Sequence, residues 1–433
     1  MDERAVHSRK TKTHSTDAKI RPVSLLSHIE SKDSTRIHTG STELDRVLGG
    51  GLVRQSLVLI SGEPGIGKST LLLSLAAKLG ETSGGVKETV LYISAEESVE
   101  QIKLRSIRLR MNNSAIHTSE EYRVENIEEH LTALCPTVLI IDSIQSLRNE
   151  ALGMHTGTVT QLRAIISACY EWCQRFHCTI VIVAHVTKDG SIAGPKTVEH
   201  MVDTVLVFEQ SKNNLRFLYS KKNRFGAVNE VGIFHMTEHG LEDLDNANKY
   251  FLEERKDAWP SGICITNTYE GSRSFLVEIQ ALTVAVFSNN RVFSEIINPQ
   301  QVFKLAAVLE RHCRIPLSTQ NIYLNTAGGI KIQESGIELA VALALYSAYA
   351  GAALPLNTCA IGEVSLAGEI RSVQNFEQRC RRAEDFGIQT MLVPAKDSAQ
   401  YPFSSARCTL IPVSTIDEAI AAVTNKDMHT TKK

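Results

Sequence analysis

The chain has no excess of either charge sign, no long hydrophobic run and no paired cysteine motif. Its 433 residues include 46 basic and 48 acidic side chains, for a formal net charge of -2. This balance excludes bulk attraction of the whole chain to nucleic acid or to an anionic membrane, so any DNA binding must come from local basic patches. The length and the hydrophobic content of 43% indicate two to three domains with sizeable cores.

Membrane and secretory segments are not predicted. The longest mostly apolar stretch, residues 339–354, is interrupted by Tyr346, Ser347 and Tyr349, and it is too short to span a bilayer comfortably. It is typical of a buried helix. The amino terminus has no apolar core of a secretory signal. We therefore predict a cytoplasmic protein without a membrane partner.

Nine cysteines are present, but none forms a C-x-x-C pair. Cys169 and Cys173 are four residues apart and would share one face of a helix, with Cys178 beyond it. Zinc sites usually show closer pairing and a second matching pair. We therefore predict packed, reduced thiols and no zinc.

A phosphate-binding loop is the most informative motif of the chain. It follows residues 56–61, an apolar run typical of a strand buried on both faces, and it precedes residues 70–79, which are rich in helix formers. Glycines let such a loop wrap an anion, with its amides and the helix N-terminus facing the phosphates. Lys68 would reach the β- and γ-phosphates of ATP, and the Ser69 hydroxyl would bind Mg²⁺. The predicted nucleotide-binding residues of this motif are Gly62, Glu63, Pro64, Gly65, Ile66, Gly67, Lys68, Ser69 and Thr70.

Three more apolar runs, at residues 89–94, 137–142 and 179–185, predict strands that alternate with helical stretches. This order is typical of a mostly parallel sheet with helices on both faces. Ligands bind beyond the carboxyl ends of the strands in such sheets. At those ends the sequence places polar residues, namely Glu96 with Glu97, Asp142, and His185.

Each of these polar residues has a chemical interpretation and a plainer one. Asp142 is the expected carboxylate partner of the magnesium ion, although an acid at a strand end can also be a turn former. Glu96 would orient or deprotonate the attacking water; Glu97 is the alternative, and both could instead begin a helix. His185 would sense the γ-phosphate or be a hydrogen-bonded structural histidine.

The character of the sequence changes after about residue 240. Residues 1–35 are polar and are predicted to be a flexible tail, and residues 36–240 carry the ATP-binding motifs. Residues 241–260 are typical of a linker. Residues 261–425 contain strand-like and helical runs, which predict a second, α+β domain, and residues 426–433 form a short tail.

Several local motifs occur together in this chain. They are the glycine turn within residues 44–51, the phosphate-binding loop, residues 92–98, 184–190, 192–195 and 199–204, and the run Lys222-Asn223-Arg224-Phe225-Gly226. On these motifs, about residues 36–425 resemble the bacterial RadA (Sms) family of DNA-repair proteins. The resemblance implies a RecA-like P-loop ATPase core followed by a Lon-protease-like α+β domain.

The resemblance also implies an activity and partners. It implies a homo-hexameric ring that hydrolyses ATP with Mg²⁺, binds single-stranded and branched DNA, and drives branch migration in recombination and repair alongside a RecA-type recombinase filament. Lys222 would act across the subunit boundary on the neighbour's γ-phosphate or couple ATP to DNA, with Arg224 assisting. A cation supplied in trans stabilises charge during phosphoryl transfer and makes hydrolysis depend on ring assembly. The implied catalytic set is Lys68, Glu96 and Lys222.

By the same resemblance, DNA would be held by the loops that follow the third and fourth apolar strands. Cations on loops that face a channel contact phosphates without reading bases. Each such cation could equally be an ordinary surface charge. The predicted DNA contacts are Arg148, Arg163, Lys188, Lys196 and Arg224.

Two departures from the family lie in the first half of the chain. The family's four-cysteine zinc module has no counterpart, because the first cysteine is Cys135. The contacts that this module makes are therefore in doubt. A Pro-Gly turn ahead of the first strand is replaced by Arg54-Gln55, which we interpret as a tolerated loop change.

A third departure concerns the Ser-Lys dyad of Lon-type proteases. Gly336 falls at the nucleophile position, one residue after Ser335, and Glu377 falls where the lysine belongs. A glutamate cannot act as the neutral-amine base, so proteolysis is not expected. The domain would instead scaffold the ring and offer a DNA-facing surface, for which the candidates are Arg379, Arg381 and Arg382.

Two other functions remain to be weighed against an ATP-driven DNA motor. One is a nucleotide-switched scaffold in which slow hydrolysis only changes partners. The other is an ATP-dependent Ser-Lys protease, against which the missing dyad counts. The presence of Glu96 and Lys222 favours the motor.

Overall fold

The computed structural model describes Leu25 and residues 36–424, with gaps at residues 82–86, 112–115, 186–196, 211–213, 229, 245–250, 253–258, 287–289, 295–296, 328–331, 333, 357, 404 and 406. The predicted tails, apart from Leu25, lie outside the described residues. Lys188 and Lys196 also lie outside them, in the gap that follows His185.

A large sheet forms the first half of the described chain. A short antiparallel pair, β1 (Arg36–Ile37) with β2 (Leu52–Val53), precedes it. Within the described residues the sheet has nine strands: β3 (Leu57–Gly62), β4 (Val90–Ser94), β5 (Ile116–Ser119), β6 (Val138–Asp142), β7 (Thr179–His185), β8 (Thr204–Gln210), β9 (Leu215–Asn223), β10 (Val231–Thr237) and β11 (Gly240–Asp243). Their spatial order is β11-β10-β9-β8-β3-β7-β6-β4-β5.

The central strands of this sheet are parallel and buried on both faces. β3 pairs in parallel with β7 and β8, and β6 joins β7 to β4. Strands β9 to β11 continue the sheet in antiparallel fashion. The helices of this half are α1 (Thr42–Leu48), α2 (Lys68–Gly80), α3 (Val99–Arg108), α4 (Val124–Leu134), α5 (Val159–Arg175) and α6 (Thr197–Met201). The predicted mostly parallel sheet with helices is confirmed.

A second sheet forms the other half. Within the described residues it has seven strands in the order β14-β15-β13-β12-β16-β19-β20, and β17 pairs with β18 beside it. The strands are β12 (Ile263–Glu270), β13 (Arg273–Ala285), β14 (Val292–Ser294), β15 (Gln320–Thr326), β16 (Thr358–Ala360), β17 (Glu363–Val364), β18 (Ile370–Arg371), β19 (Thr390–Pro394) and β20 (Thr409–Val413). The helices are α7 (Pro299–Cys313), α8 (Glu338–Ala350), α9 (Phe376–Asp385), α10 (Ala395–Gln400) and α11 (Ile416–Thr424).

The apolar stretch near residues 339–354 is largely the buried helix α8, as predicted. Its residues from Leu339 to Leu345 are at most 1% exposed. No described helix combines the length and the apolar character that crossing a membrane requires.

One apolar cluster includes residues of both sheets. Phe217 of β9 stacks on Phe251 with ring centroids 6.4 Å apart, and Phe251 meets Phe275 of β13 edge-on at 5.8 Å. A buried ion pair adds to this junction, because Arg273 Nη1 donates to Glu43 Oε2 of α1 at 2.6 Å. Strand β11 extends the first sheet to Asp243, beyond the boundary at residue 240 that the sequence indicated.

Candidate nucleotide-binding site

The phosphate-binding loop joins β3 to α2 in the predicted order. Gly65 and Gly67 have φ angles of 78° and 114°, a region that favours glycine. A Cβ atom on Gly67 would lie 2.8 Å from Met236 Cε, and one on Gly62 would lie 2.7 Å from Phe208 O. The close packing therefore requires glycine here, and it leaves the N-terminus of α2 facing the loop, where anions bind.

Lys68 is the first residue of α2 and is 4% exposed. Its Nζ donates to Gly62 O at 2.8 Å and to Glu63 O at 2.9 Å. Burial lowers the pKa of Lys68, and the nearby carboxylates of Asp142 and Glu96 oppose that effect. The loop thus brings one buried cation close to two acids at the carboxyl edge of the sheet.

Asp142 ends β6 and is 8% exposed. Tyr92 Oη donates to Asp142 Oδ2 at 2.7 Å. Burial and the adjacent carboxylate raise the pKa of Tyr92 well above its usual value, so the phenol stays protonated and remains a donor. Half-buried Ser69 lies on the first turn of α2. A carboxylate and a hydroxyl beside a phosphate-binding loop are oxygen ligands of the kind that Mg²⁺ takes, so these residues fit a magnesium–nucleotide complex.

Glu96 follows β4, and its carboxylate accepts hydrogen bonds from the segment after β6. Ser143 Oγ and Ser146 Oγ both donate to Oε1, the latter at 2.9 Å. His185 Nε2 lies 3.5 Å from the same oxygen. Burial alone would raise the pKa of Glu96, but these donors and His185 outweigh it, so the pKa is lowered. Glu96 is therefore ionised and oriented at neutral pH.

Glu97 has different neighbours. Its carboxylate forms an ion pair with Arg105 of α3, and its backbone N–H donates to Ser94 Oγ at 3.1 Å. Ser98 then caps α3. The geometry favours Glu96 over Glu97 as the group that faces the nucleotide loop.

His185 ends β7 directly opposite Gly62 of β3. Its Nε2 faces Glu96, while its Nδ1 is buried and has no hydrogen-bond partner in the described part of the chain. Gln145 Nε2 donates to the backbone oxygen of His185 at 3.3 Å. A buried ring nitrogen without a partner is a group that a bound ligand can engage. Both interpretations of His185, phosphate sensor and structural residue, therefore remain compatible with its position.

One residue of this site was missed in the sequence. Arg216 of β9 donates from Nε to Ile66 O at 2.9 Å, a contact between residues 150 positions apart. Its Nη1 donates to Leu215 O at 3.1 Å. No motif surrounds Arg216, and the available signal was a lone arginine inside an apolar strand-like run.

Lys222 lies towards the opposite edge of the sheet from the phosphate-binding loop. In the sheet register Lys222 pairs with Val205 of β8, and Val205 pairs in turn with Leu59 of β3. At about 3.3 Å per strand residue, Leu59 lies about 10 Å before Gly62. Burial and the neighbouring Arg224 lower the pKa of Lys222. Its Nζ donates to three carbonyls at the C-terminal end of α6, those of Glu199 at 3.0 Å, His200 at 3.2 Å and Val202 at 2.7 Å.

Arg224 is bound at the same edge. Its Nη1 lies 2.9 Å from Asp203 Oδ1, and its side chain is 51% exposed. Asn223 Nδ2 donates to Leu48 O at 3.2 Å, which packs this basic turn against the glycine turn that follows α1. Within its own chain the turn is therefore structurally anchored.

Arg148 and Arg163 are both exposed, but only Arg148 lies on the loop after β6, because Arg163 lies within helix α5. Gln161 of α5 binds the backbone of Asn149 on both sides, accepting from its N–H and donating to its oxygen, each at 3.0 Å. This ties the loop after β6 to α5. The structure thus connects the two segments that carry these residues, through Gln161 and Asn149.

The second sheet holds the region that resembles a protease site. A cavity of about 730 Å³ there is lined by Ser335, Gly336, Glu363 and other polar residues. Ser335 Oγ donates to Glu363 Oε2 at 2.8 Å. A Cβ on Gly336 would lie 2.5 Å from Glu334 Oε1. Glu377 is 51% exposed and pairs with Arg381 on the surface of α9, so these residues do not assemble a Ser-Lys dyad.

The prediction that Arg379 faces DNA is wrong. Its side chain is 1% exposed and forms an ion pair with Glu334. Its Nε donates to Gln374 O at 2.7 Å, and its guanidinium lies 4.9 Å from the centre of the Tyr269 ring. The reason is that Arg379 lies on the face of α9 that packs inward. Arg381 and Arg382 are exposed at 69% and 61%.

Comparisons with known proteins cover both sheets. The AAA domain family matches residues 26–191, and the family of subunit ChlI of Mg-chelatase matches residues 270–397. A DNA repair protein RadA of Treponema pallidum is 43% identical over 399 residues, which is 92% of this chain and 86% of that protein. The protein of that name in Bacillus subtilis is 43% identical over 385 residues, with coverage of 88% and 83%. That of Streptococcus pneumoniae is 40% identical over 410 residues, with coverage of 94% and 96%.

Proposed function

This chain belongs to the family of the DNA repair protein RadA, and we propose that it is a DNA-dependent ATPase that acts in DNA repair. Its first sheet is a RecA-like P-loop NTPase core. The finer activity that we propose is that of a helicase that promotes branch migration of recombination intermediates. Its substrates are single-stranded and branched DNA, its partner is a RecA-type recombinase filament, and its compartment is the cytoplasm.

The observation that carries the ATPase proposal is the meeting of Lys68, Asp142 and Glu96 at one edge of the sheet. Lys68 binds the β- and γ-phosphates, and Glu96, held ionised by the two serine hydroxyls, orients the attacking water. Asp142 and Ser69 would hold Mg²⁺, which would neutralise charge on the phosphates. The protein's part is thus largely positioning and electrostatic stabilisation.

Lys222 is the proposed trans-acting cation of a hexameric ring. In its own chain it lies about 10 Å short of the level of Gly62 along the strand direction, and two strands away, so a role at a γ-phosphate requires a neighbouring subunit. To act there it would exchange the three α6 carbonyls for phosphate oxygens. Such an exchange would couple the phosphate to α6, the helix that follows the proposed DNA loop with Lys188 and Lys196.

Arg148, Arg163 and Arg224 are the proposed DNA contacts for which the structure gives a position, and Arg224 is paired with Asp203. Arg148 and Arg163 follow the Asp142 strand, so a loop that holds DNA would be directly connected to the magnesium site. Phosphate contacts of this kind give sequence-independent binding that weakens with added salt.

The test is steady-state ATP hydrolysis with and without single-stranded DNA, for wild type and Lys222→Ala. We expect DNA to stimulate the wild type and to have little effect on the variant. Lys221→Ala is the matched control, because Lys221 is exposed and its Nζ lies 5.5 Å from the Tyr219 ring centre, away from α6. Equal stimulation in all three proteins would rule out a coupling role for Lys222.

A nucleotide-switched scaffold is the second candidate function. The engagement of Lys222 by its own α6 favours it, because a lysine that stays bound to three carbonyls is not available to a neighbour. Slow hydrolysis that is indifferent to DNA in both wild type and Lys222→Ala would support this scaffold over the motor.

A further inference from the structure

Arg216 of β9 contacts the phosphate-binding loop through one face of the first sheet. It faces the same side of the sheet as Phe234, its partner in the β9–β10 register, and it is 7% exposed. Its Nε binds the carbonyl of Ile66, in the middle of the loop. Met236 and Phe208 also touch the loop glycines from this side. Of these three described residues that contact the loop, Arg216 is the charged one.

The charge of Arg216 is not compensated within the described residues. It forms no ion pair there, and both of its hydrogen-bond acceptors, Ile66 O and Leu215 O, are neutral carbonyls. Burial lowers its pKa. Holding an arginine ionised in such a place is unfavourable unless an anion lies close by.

We infer that Arg216 is a positioning residue for nucleotide, whose buried charge is offset by the phosphates bound on the other side of the loop. This inference rests on the nucleotide site of the proposed function. The hydrogen bond to Ile66 O orients the loop, and the charge adds long-range attraction for the anion. Since ATP carries more negative charge than ADP, the charge favours ATP more strongly.

A purely structural role makes a different prediction. If Arg216 only holds Ile66 O in place, any donor of similar length would serve, and its removal would lower the stability of the nucleotide-free protein. If the charge is what matters, removing it lowers nucleotide affinity without that loss of stability. Two substitutions separate these roles, since Arg216→Gln keeps an amide donor and loses the charge, whereas Arg216→Lys keeps the charge.

The experiment measures the Kd of fluorescent ATP and ADP analogues for the full-length wild type and both variants, without DNA, together with the Tm of each nucleotide-free protein. A charge within roughly 10 Å at an effective dielectric constant of about 20 corresponds to a factor of about ten or more in Kd. We expect Arg216→Gln to weaken ATP binding by about that factor and ADP binding by less, with an unchanged or higher Tm. Arg216→Lys should stay close to wild type.

A second variant tests the charge without altering Arg216. Gln210 lies directly opposite Arg216 in the β8–β9 register and is exposed, so Gln210→Glu places a carboxylate beside the guanidinium without disturbing the core. It should weaken ATP binding as Arg216→Gln does, and the matched control Gln210→Thr should not. The inference is overturned if Arg216→Gln and Gln210→Glu both bind ATP as tightly as wild type.

Lys68→Ala, measured in parallel, separates this inference from the site on which it rests. Loss of ATP binding in Lys68→Ala with wild-type binding in the Arg216 and Gln210 variants means that the nucleotide site is real and the Arg216 inference is wrong. Full binding in Lys68→Ala would instead remove the nucleotide site itself.

Discussion

Carboxylates, serines and basic side chains occur together at the carboxyl edge of the first sheet, called the first edge below, and in the cavity of the second sheet. The hydrogen bonds of these groups differ between the edge and the cavity. At the first edge, Glu96 is oriented by hydroxyl groups, and a ring nitrogen of His185 has no partner among the described residues. In the cavity, Ser335 donates a hydrogen bond to Glu363, and Arg379 forms an ion pair with Glu334. At the first edge a hydrogen-bonding group is left without a partner among the described residues, whereas in the cavity these side chains are hydrogen-bonded or ion-paired with one another.

This difference indicates which site performs chemistry. A catalytic group needs free hydrogen-bonding capacity toward a substrate, whereas an ion pair with a buried partner, such as Arg379 with Glu334, mainly fixes a conformation. The crowding at Gly336, where an added Cβ would meet Glu334, shows that the cavity is organised around its ion pair. We therefore treat the first edge as the reaction site and the cavity as part of a scaffold.

The largest expected effect comes from removing one cation at the first edge. Lys68→Ala should lower ATP hydrolysis by about a thousandfold, because the buried ammonium stabilises charge on the phosphates. Ser335→Ala, the corresponding change in the cavity, should leave hydrolysis unchanged. The measurement is steady-state phosphate release, with circular dichroism to verify the fold. A comparable loss in Ser335→Ala would contradict the division between the two sites.

The second-largest expected effect is a loss of folding stability when the ion pair in the cavity is removed. Arg379→Met should lower the free energy of unfolding by about 3 kcal/mol, because it leaves the Glu334 carboxylate without its buried partner. Arg381→Ala, on the exposed side of the same helix, is the matched control and should change stability by less than about 0.5 kcal/mol. Denaturant unfolding measures both. If the two variants lose equal stability, the cavity ion pair has no special structural role.

The first edge shows how much of a site local sequence patterns can predict. The phosphate-binding loop and the strands ending in Asp142 and His185 were predicted within a residue or two, because each depends on a local pattern of apolar, glycine and acidic residues. The sequence already favours Glu96 over Glu97, and the structure adds the contacts that distinguish them. The distinction depends on which carboxylate meets the serines after β6, and those lie nearly fifty residues further along the chain.

Other features depend on contacts between distant segments, which local patterns do not reveal. Arg216 contacts Ile66 only because strand pairing brings β9 close to the loop, so the sequence around either residue gives no sign of the contact. The sequence groups Arg379 with Arg381 and Arg382 as a surface candidate, yet its face of α9 meets Tyr269. Strand β11 was assigned to the linker, since a four-residue strand gives little periodicity.

The smallest expected effect concerns the orientation of Glu96. Ser146→Ala removes one donor to the ionised carboxylate, so the pKa of Glu96 should rise. Because Glu96 must be ionised to orient water, the acid side of the pH profile of kcat should move toward neutral pH. Hydrolysis near pH 8 should change little, and the deficit should grow as the pH falls. The measurement is kcat from pH 5 to 8.5 at saturating ATP.

Ser146→Thr is the control for this prediction, because it keeps the hydroxyl and should keep the wild-type profile. His185 and Lys68 also face Glu96, and both stay in place in these variants. The Ser146→Thr profile is therefore the reference against which the Ser146→Ala profile is compared. An acid limb that is identical in Ser146→Ala and wild type would mean that the serine does not hold Glu96 ionised. The oriented carboxylate would then have to be attributed to Ser143 and His185 alone.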